Sequence, residues 1–139
     1  MIKLLPFTAA AASALLGCAA VPAEPTGPAG ACPIAGSRDW RAWVNAMPGP
    51  DRPRLIVIGE VTVPTGGWQL SLELGATREI DPPVQEVVLR AVPPSGAATQ
   101  AIVTREVRGD FLALPRYGAV VVRCGSEVIA EISPVETAH

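Results

Sequence analysis

Leu55-Ile56-Val57-Ile58-Gly59-Glu60-Val61-Thr62-Val63 decides the fold, together with the cluster Pro64-Thr65-Gly66-Gly67 and the stretch Trp68-Gln69-Leu70-Ser71-Leu72-Glu73-Leu74. The first segment is β-branched and mostly apolar, the texture of a central strand. The last alternates apolar and polar side chains without a break, the period of a strand with one buried face. Between them stand proline, threonine and two glycines, which are turn formers.

The same texture continues downstream. Asp81-Pro82-Pro83 breaks the chain, and Val84–Val92 reads as a strand ended by Pro93-Pro94-Ser95-Gly96. Residues 99–107 read as a weaker strand ended near Gly109-Asp110, and residues 111–114 as a short apolar piece before Pro115. Residues 117–124 and 127–133 form a hairpin around Gly125-Ser126, where glycine at the first central position suits a type II′ turn. Short strands at this spacing imply an antiparallel sandwich or a small barrel.

Upstream the pattern changes. Ser37 can cap a helix, and Asp39 suits its positive end. Trp40, Trp43, Val44 and Met47 then fall at helical spacing, and Pro48-Gly49-Pro50 ends the run. The expectation is one short N-terminal helix packed over an end or face of the sheet.

Residues 1–17 read as a signal peptide. Lys3 and the terminal amine give a positive start, and residues 4–16 are apolar or small apart from Thr8 and Ser13. That run is shorter than the roughly 20 apolar residues a bilayer span needs. It ends in Leu15-Leu16-Gly17-Cys18, which resembles the lipobox of bacterial lipoproteins. The resemblance implies a diacylglyceryl group on Cys18, cleavage after Gly17 and acylation of the new amine. Stable anchoring takes more than one acyl chain, and this arrangement exceeds that requirement. Ala19, where an aspartate would favour inner-membrane retention, implies an outer-membrane position facing the periplasm in a Gram-negative host. Residues 19–31 are mostly Ala, Pro and Gly around a single charge, Glu24, and read as a tether. At about 3.1 Å per residue it reaches roughly 40 Å. A single domain is expected over residues 32–139.

The chain has three cysteines. Assigning Cys18 to lipid leaves Cys32 and Cys124, which an oxidising compartment would join as a disulfide. The chain-entropy account allows on the order of 4 kcal/mol for closing so long a loop. A metal site is the competing reading, but it lacks ligands: the one histidine is His139, and there is no CxxC.

Most chemistry is disfavoured. With 11 basic and 13 acidic residues and no basic run, the chain carries no electrostatic footprint for nucleic acid. No histidine precedes the terminal His139, so Ser-His and Cys-His arrangements inside the domain are excluded. Glu60, Glu73, Glu86, Glu127 and Glu131 read as solvent-facing strand residues rather than an acid-base pair. Gly66-Gly67 opens no helix, so it is not a phosphate loop, and nothing calls for a nucleotide, flavin or other cofactor. The expectation is a non-enzymatic domain. Trp40 and Trp68 read as core, while Trp43 is balanced between core and a partner surface.

Gly59-Glu60, then Pro64-Thr65-Gly66-Gly67-Trp68, the alternating strand, Pro93-Pro94-Ser95-Gly96 and Thr99-Gln100-Ala101 together resemble the small β domain of PrcB-like protease-complex proteins. The turn is also similar to the Pro-Thr-Thr-Gly-aromatic loop of chagasin-type cysteine-protease inhibitors, with Gly66 in place of the second threonine. The resemblance implies an Ig-like sandwich that binds protein, with Pro64, Thr65, Gly66, Gly67 and Trp68 as the contact loop.

Overall fold

The computed structural model describes Gly17 and residues 30–139. The expected signal peptide (Gly17 apart), the expected lipidation site Cys18 and tether residues 19–29 lie outside the described residues.

The described residues are all-β. The strands are β1 (Gly36–Asn45), β2 (Arg54–Val63), β3 (Gln69–Arg78), β4 (Val84–Val92), β5 (Val103–Leu112), β6 (Ala119–Cys124), β7 (Glu127–Ile132) and β8 (Glu136–Ala138). They make two four-stranded sheets, ordered β5-β2-β1-β8 and β3-β4-β6-β7, stacked as a sandwich. The core between the sheets is built from Leu55, Val57, Val61 and Val63 of β2, Val87 and Leu89 of β4, and Val120 and Val122 of β6. Burying each such side chain contributes about 1.5–3 kcal/mol. As its β-branched, mostly apolar run implied, β2 is central. Ile56 and Ile58 point away from the core yet remain buried, flanked by Trp43 and Asp110 and by Arg41 and Arg108 on the adjoining strands.

The expected N-terminal helix is a strand. β1 pairs antiparallel with β2 along its length, interrupted by an irregularity between Arg38 and Arg41 where Asp39 adopts φ +57°. Trp40, Ala42, Val44 and Ala46 alternate inward, while Trp43 lies on the opposite face and Met47 is 64% exposed. The i, i+3, i+4 spacing that imitates a helix comes from large side chains on both faces of a bulged strand. The true period-two stripe is masked because two of its members are alanines. An apolar β2 with an open edge gains a full ladder of hydrogen bonds by this pairing.

The sheets are mixed rather than wholly antiparallel. β4 runs parallel to β6 and β1 runs parallel to β8. Between β4 and β6 the chain crosses to the other sheet to make β5, so β6 returns in the direction of β4. β5 also differs from expectation: residues 99–102 precede it, and it continues through Gly109 to Leu112. Gly109 is no turn. It faces inward, where an added Cβ would run into the Phe111 ring and Leu72. The hairpin is as expected: Gly125 has φ +60°, and Ser126 is not among the residues of positive φ.

Leu74 departs from the clean alternation of β3. Although it pairs with the core residue Val87, it is 49% exposed, and a bulge between Leu74 and Thr77 breaks the ladder to β4. Gln85, 2% exposed, repairs that break. Its Nε2 donates to the Gly75 and Ala76 carbonyls at 3.1 and 3.3 Å, and its Oε1 accepts the Thr77 hydroxyl at 2.8 Å.

Candidate functional site

One end of the sandwich gathers most of the residues the sequence singles out. The register pairs Gly36 with Thr62, Val63 with Val103, Gln69 with Val92 and Leu89 with Cys124. The chain therefore enters the domain at the end that carries the 64–68 loop, the 93–102 connection and the β6–β7 hairpin. Cys32 and Cys124 are joined there, with Cα atoms 5.1 Å apart. The Gly30 carbonyl accepts from Ser126 N at 2.7 Å and from its hydroxyl at 2.9 Å, pinning the entering chain to the hairpin.

The 64–68 loop is held from two sides. Trp68 is 8% exposed and donates its indole N–H to Thr65 Oγ1 at 3.0 Å. The Trp68 carbonyl accepts from the Arg105 guanidinium. The Gly66 N–H donates to the Thr99 carbonyl at 3.0 Å. Gly67 needs to be glycine twice over: its φ is +83°, and an added Cβ would meet Pro94 at 3.0 Å. Thus the two segments that carry the resemblance, 64–68 and 93–101, lie against each other. Of the five loop residues, Trp68 belongs to the core and offers no contact surface. Pro64 and Gly67 are exposed, with Thr65 and Gly66 half-buried behind them. A loop fixed in this way loses little conformational freedom when it meets a partner.

Three of the five glutamates that the sequence singles out are engaged by arginines. Glu60 accepts from Arg38 Nε at 2.7 Å, a bond and charge pairing that raise the Arg38 pKa above its ordinary value. Glu73 accepts from Arg90 at 2.8 Å. Glu86, expected to face solvent freely, is mostly covered on the outer face of its sheet. It lies 3.3 Å from Arg78 and 3.0 Å from Arg123 Nε, the latter off the line of a hydrogen bond. Glu127 and Glu131 are exposed. Among the described residues, no three His, Cys, Asp or Glu side chains converge as metal ligands.

One feature escaped sequence reasoning. β8 covers β1 only at Trp43, Val44 and Asn45, and beside the uncovered part opens a cleft of about 470 Å³. Trp40, Trp43, Ile132, Pro134 and Glu136 line it. The half-buried Trp43 thereby lines a surface feature, while Trp40 packs against the core and lies over Gly59. The only signal for this was Val135-Glu136-Thr137-Ala138 after Pro134, too short to stand out as a strand. No family model, no curated protein and no solved structure matches the chain.

Proposed function

We propose that this chain is an envelope lipoprotein, anchored to a membrane by lipid on Cys18, whose Ig-like sandwich is a non-enzymatic protein-binding or structural domain. The pairing of Cys32 with Cys124 carries the reading: of three cysteines, it leaves the one in the lipobox for lipid. Tyr117 supports the Ig-like assignment. Just before β6 its hydroxyl accepts from the Leu114 N–H at 2.7 Å, the kind of upstream backbone bond made by the tyrosine corner of such sandwiches. The engagement of Glu60, Glu73 and Glu86 by arginines supports a structural rather than an acid-base role for those acids. The test is Cys18→Ser in living cells fed a labelled fatty acid. Label and membrane retention should both be lost; a variant that still takes up label refutes the anchor.

The bond from Gly66 N to Thr99 O favours a second reading, a protease-associated or protease-inhibitory module that contacts its partner through residues 64–68. It holds the two segments of the resemblance as one surface. Replacing Thr65, Gly66 and Gly67 together, or changing only the exposed Pro64→Asp, should remove a protease from in-cell crosslinks made by the full chain. An unchanged crosslinking pattern in both variants counts against the loop.

A further inference from the structure

A two-sheet sandwich has four edge strands, here β5, β8, β3 and β7. Exposed edges invite pairing with another chain, and proteins blunt them by shortness, bulges or proline. β8 has 3 residues and β7 has 6. β3 is broken by its bulge between Leu74 and Thr77. β5 differs from all three: it has 10 residues, no proline, and an unshifted register with β2 throughout.

The Ala113 N–H donates to the Pro53 carbonyl at 3.0 Å, toward the β2 side. Backbone groups alternate sides along a strand. The odd-numbered residues of β5 therefore bond to β2, and Thr104, Glu106, Arg108 and Asp110 point their N–H and C=O groups at the open edge. The same even-numbered residues carry their side chains on the outer face. With Ile102, which immediately precedes β5, they read in order Ile102, Thr104, Glu106, Arg108, Asp110, Leu112, with apolar ends 73% and 55% exposed. Among the described residues, neither Glu106 nor Arg108 has an ion-pair partner.

This order is complementary to its own reverse. We propose that β5 is a homodimerisation edge, pairing antiparallel with β5 of a second copy of this chain about a two-fold axis at Val107. Glu106 of one copy then faces Arg108 of the other, twice. Ile102 faces Leu112 and Thr104 faces Asp110, again twice, and Arg105 faces Gly109. The register also aligns the outward-pointing backbone groups of both copies, so the two β5-β2-β1-β8 sheets become one. A slip of two residues either way sets Glu106 against Glu106 or Arg108 against Arg108. A slip of one residue points the open backbone groups past each other. Isologous two-fold pairing is the commonest form of self-association, and opposed charges across strands fix its register.

The test uses the full chain in detergent, with association read by sedimentation over a concentration series and folding checked by an intact Cys32–Cys124 bond. Wild type should dimerise. Glu106→Arg alone and Arg108→Glu alone should each weaken the dimer by at least about tenfold, because like charges then face each other twice. The double variant, Glu106→Arg with Arg108→Glu, restores opposite charges and should recover wild-type association. A monomeric wild type overturns the proposal. So do single variants that dimerise as wild type does, or a double variant no better than the singles.

Discussion

At the residue scale, packing turns single positions into testable statements. Gly59 lies on the inward side of β2, where an added Cβ would overlap the Trp40 ring. Gly59→Ala should lower stability by about 1–3 kcal/mol, read from the denaturant midpoint, and pairing it with Trp40→Leu should recover part of the loss. Gln85 offers a second case. Gln85→Leu matches its size but strands the Gly75 and Ala76 carbonyls at the β3 bulge, at a cost of about 1–3 kcal/mol. A Gln85→Leu domain as stable as wild type would show that the bulge repairs itself by other means. Tyr117 is the chain's single tyrosine, so its phenolate absorbance reports on one group. Burial raises its pKa, partly opposed by the Leu114 bond, so the folded midpoint should lie above the ordinary 10.0 and fall back in denaturant. Because the folded value is the raised one, its contribution to stability is complete below the unfolded pKa and is lost as pH rises through the folded pKa. A folded midpoint at or below the unfolded one would contradict that assignment. None of these three packing roles was read from the sequence: those of Gly59 and Gln85 depend on residues of another strand, and that of Tyr117 on its burial and on how the chain turns before β6.

At the element scale, strands with strict alternation or unbroken β-branched runs were legible and the bulged ones were not. β2, β4 and the β6–β7 hairpin lie close to where the sequence puts them, since period, turn residues and propensity agree there. β1 imitates a helix because one irregularity at Asp39 shifts its phase and two alanines hide its inward stripe. β5 absorbs Gly109, a residue that signals a turn until the Phe111 ring of its own strand and Leu72 of β3 fill its space. The disulfide belongs to this scale, because it ties the approach to β1 to the end of β6. Cys32→Ser with Cys124→Ser should lower stability by up to about 4 kcal/mol in equilibrium unfolding. The loss should come with faster amide exchange around Gly30 and Ser126, whose bonds the bridge holds in place. Unaltered exchange there would show that the hairpin contact stands without it.

At the scale of the whole molecule, the end at which the chain enters the domain also carries the candidate loop. Under the lipoprotein proposal, a partner of the 64–68 loop meets it on the membrane side of the domain, within the expected tether reach of roughly 40 Å. Shortening residues 19–29 should therefore reduce in-cell crosslinking through Pro64 before it affects crosslinking through Met47 at the opposite end. Equal loss at both ends would contradict that geometry.

The amino-acid sequence by itself determined the all-β class, the central place of β2, the hairpin and the cysteine pair. Each of these follows from local chemistry: side-chain period, glycine conformational freedom, and the redox logic of an even pair. It also carries the lipobox and tether expectations, which rest on short-range pattern alone. Only the tertiary structure decided that β1 is a strand, that both sheets are mixed, and that β8 exists. It also brought 64–68 against 93–101 and left β5 as a long, regular edge. These features depend on which strands become neighbours across long stretches of chain. That choice is made by burying apolar faces and satisfying backbone groups over the molecule as a whole, which no local window of residues contains.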